Sequence, residues 1–260
     1  MILKGKTVII TGIGPGMGRK MAAEAAKEGA NVVMVSRSDY VMKDVVTEIE
    51  AAGGTCIAIQ ADVSKPEDCQ RVAAEAVAKF GRIDGLVNSA YYHPPMIPIL
   101  ENDSEDIRQA YEVIVIGALN MVRAVLPSMK DAGGGSIVNI GTMAGRKPMT
   151  GEGGYAAAKM ALAAVTRQLA HELGQYNIRV NITLMGWLMG QAVDFYYQWK
   201  ATSTGRTKEE VVAEAISHVP LGRIPPDGDC GKAALMLLSD YASEITGASI
   251  DVNGGEYMSA

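Results

Sequence analysis

Short apolar segments alternate with longer segments of helical spacing along this chain. The apolar segments are rich in β-branched residues and almost continuously hydrophobic, as in Val-Ile-Ile and Ile-Val-Asn-Ile. Strands of a parallel sheet covered by helices on both faces have this character. Seven strands are predicted: Thr7–Thr11, Asn31–Ser36, Thr55–Ala61, Asp84–Asn88, Ser136–Gly141, Ile178–Leu184 and Ser249–Val252.

The segments between the strands carry apolar residues three or four positions apart, which predicts amphipathic helices. One such stripe contains Val72, Ala73, Ala76, Val77 and Phe80. A second, in one long helix, contains Ile107, Tyr111, Ile114, Ala118, Met121 and Val125. Repeated right-handed crossovers predict a single doubly wound, Rossmann-like α/β domain over residues 1–260, with a mostly parallel seven-stranded sheet. Its ligand site is expected at the carboxyl ends of the strands.

Composition excludes several classes of protein. With 48% hydrophobic residues the 260-residue chain has ample core material, and its formal charge of -5 disfavours nucleic acid as a partner. Three widely spaced cysteines and three histidines lack the spacing of metal ligands, so no metal is assigned. Residues 1–6 lack the apolar region of a signal peptide and no uninterrupted membrane span is evident, so a soluble cytoplasmic protein is expected.

A glycine-rich turn joins the first predicted strand to the first helix. It reads Gly12-Ile13-Gly14-Pro15-Gly16-Met17-Gly18, so backbone N–H groups at a helix start can face a pyrophosphate. The Gly-x3-Gly-x-Gly spacing departs from the Gly-x-Gly-x-x-Gly pattern. A tight turn with no ligand is the alternative interpretation.

Ser36 and Arg37 end the second predicted strand, where an acidic residue typically holds the ribose 2′-hydroxyl of NAD. A hydroxyl and a guanidinium suit a 2′-phosphate instead, which favours NADP(H) while leaving NAD(H) possible. The alternative is that Arg37 is an ordinary solvated loop charge.

Tyr155 and Lys159 are four residues apart near the start of an alanine-rich helix, so their side chains leave the same face. Thr142, thirteen residues before Tyr155, ends the preceding strand. An adjacent ammonium and a bound nicotinamide cation would lower the pKa of the phenol, so that Tyr155 could exchange a proton with a carbonyl or an alcohol.

The order and distances of these motifs resemble those of the short-chain dehydrogenase/reductase family along the whole chain. The resemblance implies catalytic roles for Tyr155, Lys159 and Thr142, the last at the position of a family serine. It also implies an adenine contact from Asp62 and Val63. The remaining cofactor contacts that it implies are Asn88 and Ala90 after the fourth strand, and Gly186 and Leu188 after the sixth.

Three positions depart from the family pattern. Ile114 stands where the family has a catalytic asparagine, which puts the usual proton relay in doubt. Tyr91 replaces a glycine beside the cofactor cleft. After Gly186 the chain continues with Trp187 and lacks the threonine that the family usually has shortly after this glycine. The family further implies a homotetramer, or a dimer, built on the last strand and on the two helices that contain Ile114 and Tyr155.

Aromatic and methionine side chains are concentrated after the fourth and sixth strands, which predicts a pocket for a bulky apolar or aromatic carbonyl compound. A substrate lid is expected within residues 187–220. Packing of this segment onto the core is the alternative. His93 is a candidate contact to a polar substituent of the substrate, and the alternative for it is an exposed loop histidine. The candidate substrate residues are Tyr91, Tyr92, His93, Met143, Met149, Trp187, Phe195, Tyr196 and Trp199.

The sequence therefore predicts an NADP(H)-dependent oxidoreductase that interconverts a bulky ketone and its secondary alcohol, with Tyr155 as general acid and base. A catalytically silent dinucleotide-binding scaffold or sensor is the alternative. A cofactor-free lyase or dehalogenase is disfavoured because the glycine turn and Lys159 are both present. Enoyl reduction is disfavoured because the resemblance implies a wider tyrosine–lysine spacing for that reaction.

Overall fold

The computed structural model describes residues 1–258, with only the backbone described at residues 191 and 192; residues 259 and 260 of the predicted domain lie outside the described residues. Seven strands form one sheet in the order β3-β2-β1-β4-β5-β6-β7, with every pair parallel. The strands are β1 Thr7–Thr11, β2 Asn31–Ser36, β3 Thr55–Gln60, β4 Gly85–Asn88, β5 Gly135–Thr142, β6 Ile178–Met185 and β7 Ser249–Val252. The predicted doubly wound fold is confirmed, with strand ends displaced by at most one residue.

Helices cover both faces of the sheet and bury two large apolar clusters against it. They are α1 Met17–Lys27, α2 Tyr40–Ala51, α3 Pro66–Phe80, α4 Ser104–Tyr111, α5 Gly117–Asp131, α6 Gly153–Leu173, α7 Gln191–Thr204, α8 Lys208–Ser217 and α9 Asp227–Leu238. The helices α7 and α8 have a small apolar cluster of their own, which includes Tyr197, Val211 and Val219.

The long predicted helix is interrupted by a π-helical turn, Glu112–Ile116, between α4 and α5. The whole segment Ser104–Asp131 is long and apolar enough to cross a membrane by length and composition, but half of its apolar window is buried inside the protein. It packs against α3 and α6 as a core helix. Two residues of the predicted stripes, Val77 and Tyr111, are exposed because each lies at the edge of its buried face.

The strand order reverses between β1 and β4, so the loops that follow these two strands diverge and leave a cleft. Thr11 at the end of β1 ties the two loops together: its hydroxyl donates to the Val87 carbonyl and accepts from the backbone N–H groups of Ser89 and Ala90. The fold thus places the glycine turn beside the loop after β4.

Candidate active site

The glycine turn is built from glycines with two different tasks. A Cβ on Gly12 would lie 2.7 Å from the Ala90 nitrogen, and one on Gly18 would lie 2.4 Å from the Gly12 carbonyl oxygen, so these two glycines allow backbones to touch. A Cβ on Gly14 would meet no atom within 4 Å, and a Cβ on Gly16 would meet only the Asp227 carboxylate, at 3.6 Å. Open space therefore remains around Gly14 at the start of α1, where an anion can be held.

A cavity of about 260 Å³ lies at this switch point. Ser36 and Arg37 at the end of β2 line it, and Arg37 is exposed at its rim. The predicted Gly12, Gly14, Asp62, Val63 and Ala90 also line it. Tyr91, predicted beside the cofactor cleft, lines it as well. The lining residues that sequence reasoning missed are Ile13, Val35, Ala61 and Val113.

The remaining predicted cofactor residues do not line this cavity. Gly16 is the N-cap residue of α1, and Met17 is its first residue. The Asn88 amide is buried and donates to Asn139 on β5 at 2.9 Å. Gly186 lies so close to Asn253 that a Cβ would meet it at 2.6 Å, and Leu188 packs against the core.

Tyr155 and Lys159 project from the first turns of α6 beside the end of β5. The Lys159 ammonium donates to the Ile140 carbonyl at 2.6 Å and lies 5.6 Å from the centre of the Tyr155 ring. Thr142, at the last position of β5, accepts a hydrogen bond from the Ala144 N–H at 3.2 Å. Its hydroxyl hydrogen remains available for donation to a substrate oxygen. The structure brings the three predicted catalytic residues to one strand end.

Burial dominates the ionisation of this pair. It raises the pKa of Tyr155 well above the ordinary value, and the charges of Tyr91 and Glu152 raise it further. It also lowers the pKa of Lys159 to about 7. The protein groups around Tyr155 thus raise its pKa, which is the opposite of the effect expected from the Lys159 ammonium.

Ile114 lies in the π-helical turn and is only 1% exposed. Its side chain joins an apolar cluster with Leu162, Ile182 and Leu184, against which Tyr155 also packs. This wall of the site therefore offers only hydrocarbon at the position of the family asparagine.

Two aromatic rings from the loop after β4 contact Tyr155. The Tyr91 ring approaches edge-on, with centroids 6.2 Å apart, and the His93 ring stacks on it at 4.6 Å and 23°. His93 is half-buried and its Nε2 lies 3.1 Å from a carboxylate oxygen of Glu152. Glu152 was not predicted as a site residue, because 59 positions separate it from His93 and no local motif marks the contact.

The aromatic residues after β6 form a separate stack. The Trp187 and Tyr196 rings lie 5.2 Å apart at 16°, and Trp199 approaches Tyr196 at 6.1 Å. Phe195 is 74% exposed and does not belong to the buried part of this stack. Of the remaining predicted substrate residues, Tyr92 donates its hydroxyl to Asp106, Met143 is buried behind Gly186, and Met149 is half-buried before α6.

Comparison with known proteins assigns the family. Residues 12–256 match the family model described as enoyl-(acyl carrier protein) reductase. The 7alpha-hydroxysteroid dehydrogenase of Escherichia coli K12 is 33% identical and covers 97% of this chain and 94% of its own. The 3-oxoacyl-(acyl-carrier-protein) reductase of Staphylococcus epidermidis RP62A is 30% identical, with coverage of 97% and 99%. The chain belongs to the short-chain dehydrogenase/reductase family.

A solved structure of NAD⁺-bound xylitol dehydrogenase agrees with this assignment, with a TM-score of 0.90, 26% identity and coverage of 98% of this chain and all of that one. As a short-chain dehydrogenase/reductase, the protein is an NAD(P)-dependent oxidoreductase that acts on CH–OH or C=O groups. The Rossmann-like fold and the oxidoreductase class predicted from the sequence are both confirmed.

Proposed function

We propose that this short-chain dehydrogenase/reductase uses NADP(H) to interconvert a bulky apolar or aromatic ketone and its secondary alcohol. The observation that carries the proposal is the position of Tyr155, which is half-buried, and Lys159, which is buried, on one face of α6 beside the end of β5. Nearby, the cavity at the switch point has Ser36 and Arg37 on its wall. A proton donor and a dinucleotide cradle therefore meet at one edge of the sheet.

The residues present fit a dinucleotide. Open space around Gly14 at the start of α1 suits a pyrophosphate, and Arg37 at the rim suits a 2′-phosphate. When bound, the reduced nicotinamide supplies the hydride. In the reduction direction Tyr155 gives its phenolic proton to the carbonyl oxygen, and Thr142 orients that oxygen by donating its hydroxyl hydrogen. Lys159 holds a proton beside Tyr155 at the carbonyl of Ile140.

The proposed substrate class follows from the aromatic walls. Tyr91 and His93 flank Tyr155 on one side, and the stack of Trp187 and Tyr196 lies in the segment after β6. Residues 187–220 are proposed as a substrate lid, since α7 and α8 pack mainly on each other around a small cluster of their own. The hydroxysteroid dehydrogenase among the relatives is named for a substrate of this bulky apolar kind.

Parallel titrations with NADPH and NADH, followed by energy transfer from tryptophan, test the cofactor. A panel of acetophenone, decalone and a short 3-oxoacyl thioester, assayed with the preferred cofactor, tests the substrate class. Turnover of the first two above the thioester is expected. Tight cofactor binding without Tyr155-dependent turnover would instead favour the silent scaffold, and saturable binding of neither cofactor would contradict the proposed NADP(H)-dependent reaction.

Replacing Arg37 by alanine is expected to weaken NADPH binding on the order of tenfold to a hundredfold, because a charge-assisted hydrogen bond to the 2′-phosphate is lost. NADH binding should change little. The same titration measures both dissociation constants, and Arg167→Ala, which removes an exposed guanidinium on α6, is the matched control. An equal loss for both cofactors would contradict the assignment of Arg37 to the phosphate.

A cytoplasmic homotetramer, or a dimer, is part of the proposal. It is supported by apolar side chains that remain exposed on the α4–α5 segment, among them Tyr111 and Ile116 at 37% and 39%. Light scattering on the purified protein gives the molar mass directly, and a monomer across the working concentration range would contradict this part.

A further inference from the structure

The histidine–carboxylate contact beside Tyr155 has no counterpart in the predicted catalytic set. Glu152 ends the loop before α6, and its side chain is only 11% exposed. The loop after β4 packs closely on the start of α6 here, since a Cβ on Gly154 would lie 3.3 Å from the Pro94 ring and 3.2 Å from the Ile107 side chain. The contact therefore closes over the start of the helix that carries Tyr155.

Hydrogen bonding fixes how many protons this couple holds. The His93 Nδ1 lies 2.6 Å from the Pro94 carbonyl, which can only accept, so this nitrogen carries a hydrogen. The other ring nitrogen, Nε2, faces an oxygen of Glu152 at 3.1 Å, and one proton must lie between them because two lone pairs would repel. His93 and Glu152 together thus hold one shared proton.

That proton belongs on the histidine. An unperturbed imidazole binds a proton more tightly than a carboxylate does, and Glu152 occupies the N-cap position of α6, where the helix dipole favours a negative charge although the side chain accepts no capping hydrogen bond. Burial by itself lowers the pKa of His93, but the hydrogen bonds with Glu152 and Pro94 outweigh it and raise the pKa above its ordinary value. The couple is then an imidazolium paired with a carboxylate.

The imidazolium lies against the proposed acid and base of the reaction. Its ring stacks on Tyr155 with centroids 4.6 Å apart, so a change of one charge at His93 is felt strongly at the phenol. The other ionisable groups at this place are Tyr91 and Lys159, which face Tyr155, and Tyr196 from α7, whose pKa is raised by burial and by the charge of Glu152. Among these groups Lys159 is a second basic group, but burial lowers its pKa to about 7 and its Nζ is directed to the Ile140 carbonyl.

We propose that His93 and Glu152 share one proton and that the resulting imidazolium, stacked on Tyr155, favours ionisation of the Tyr155 phenol. The proposal rests on the proposed function, since it concerns the group that exchanges the substrate proton. The loop after β4 thus supplies a charged group beside Tyr155. The Ile114 side chain cannot supply a polar group there, because that wall of the site is hydrocarbon. Both residues act on the reaction through Tyr155 and are positioning residues.

The test compares pH profiles of alcohol oxidation, in which ionised Tyr155 takes the alcohol proton, using the alcohol of whichever panel ketone, acetophenone or decalone, turns over faster. His93→Gln leaves the Glu152 carboxylate unpaired beside Tyr155, so the midpoint of the profile should move up by about one pH unit. Adding Glu152→Gln removes that charge and should lower the midpoint again, to a value between those of the single variant and the wild type. A purely structural role predicts that the double variant is no closer to wild type than the single variant.

His171→Gln is the matched control, because His171 is exposed near the far end of α6. It should change neither turnover nor the midpoint. An unmoved midpoint in His93→Gln, or a double variant whose midpoint is no lower than that of His93→Gln, would overturn the proposal.

A second readout needs no substrate. The chain has three histidines, so histidine ring NMR can follow His93 alone once His93→Gln assigns its signals. Glu152→Gln should lower the pKa of His93, since it removes the partner that raises it. An unchanged His93 titration would overturn the shared proton even if the oxidoreductase proposal stands. If Tyr155→Phe turned over normally while the His93 titration shifted as expected, the proposed function would fail and the couple would remain.

Discussion

Tyr155→Phe is expected to lower kcat by about a thousandfold or more while leaving cofactor affinity nearly unchanged. General acid–base catalysis contributes roughly 10²–10⁴-fold, and this substitution removes the proton that is transferred. The phenylalanine ring keeps the stacked contact with His93 and the edge contact with Tyr91, so the walls of the site should survive. Steady-state kinetics and the tryptophan energy-transfer titration measure the two quantities on the same preparation.

Tyr241→Phe serves as the control for that result, because Tyr241 is 83% exposed and far from the proposed chemistry in the fold. It removes one hydroxyl without touching the cleft and should behave as wild type. Wild-type turnover in the Tyr155 variant would end the assignment of Tyr155 as acid and base.

Lys159→Met is expected to abolish turnover and to stabilise the protein on the order of 2–3 kcal/mol at neutral and lower pH. Burial lowers the pKa of Lys159 from 10.5 to about 7. At pH values below about 7 the folded state therefore holds a buried ammonium, which water solvates better in the unfolded chain. The unfolded state binds more protons between these two values, and wild-type stability therefore rises with pH across that window. The gain from the methionine should shrink over the same window.

Chemical denaturation at several pH values measures this difference. The expected gain in stability already includes one loss, because the Ile140 carbonyl no longer accepts a hydrogen bond from the Lys159 ammonium in the variant. Lys79→Met, at an exposed position in the last turn of α3, should show no such dependence on pH. A gain that stays constant up to high pH would mean that Lys159 is not destabilised by burial of its charge.

The helices and strands were predictable because their causes are local. Seven buried strands read as continuous apolar runs, and their observed ends differ from the predicted ones by one residue at most. The exposed side chains of Val77 and Tyr111 show the limit of this reasoning. Spacing identifies a helical face, but how far that face is covered depends on the neighbouring elements.

The candidate site was predictable in part. Ser36, Arg37 and Asp62 follow strand ends, and parallel strands bring their carboxyl ends to one edge, so sequence order alone predicts that they meet. The ionisation of Tyr155 was not predictable in this way. Its pKa depends on burial and on Tyr91 and Glu152, whereas the Tyr-x3-Lys spacing suggests only the cation of Lys159.

The sequence by itself determined the doubly wound fold, the glycine turn and the residue types at the strand ends, because periodicity and strand order express these locally. Only the tertiary structure decided that His93, in a loop before two prolines, lies on Tyr155 and shares a proton with Glu152. That contact joins two loops 59 residues apart in the chain, at the place where the loop after β4 packs closely on Gly154 at the start of α6. Such a distance depends on packing in three dimensions, which no local pattern encodes.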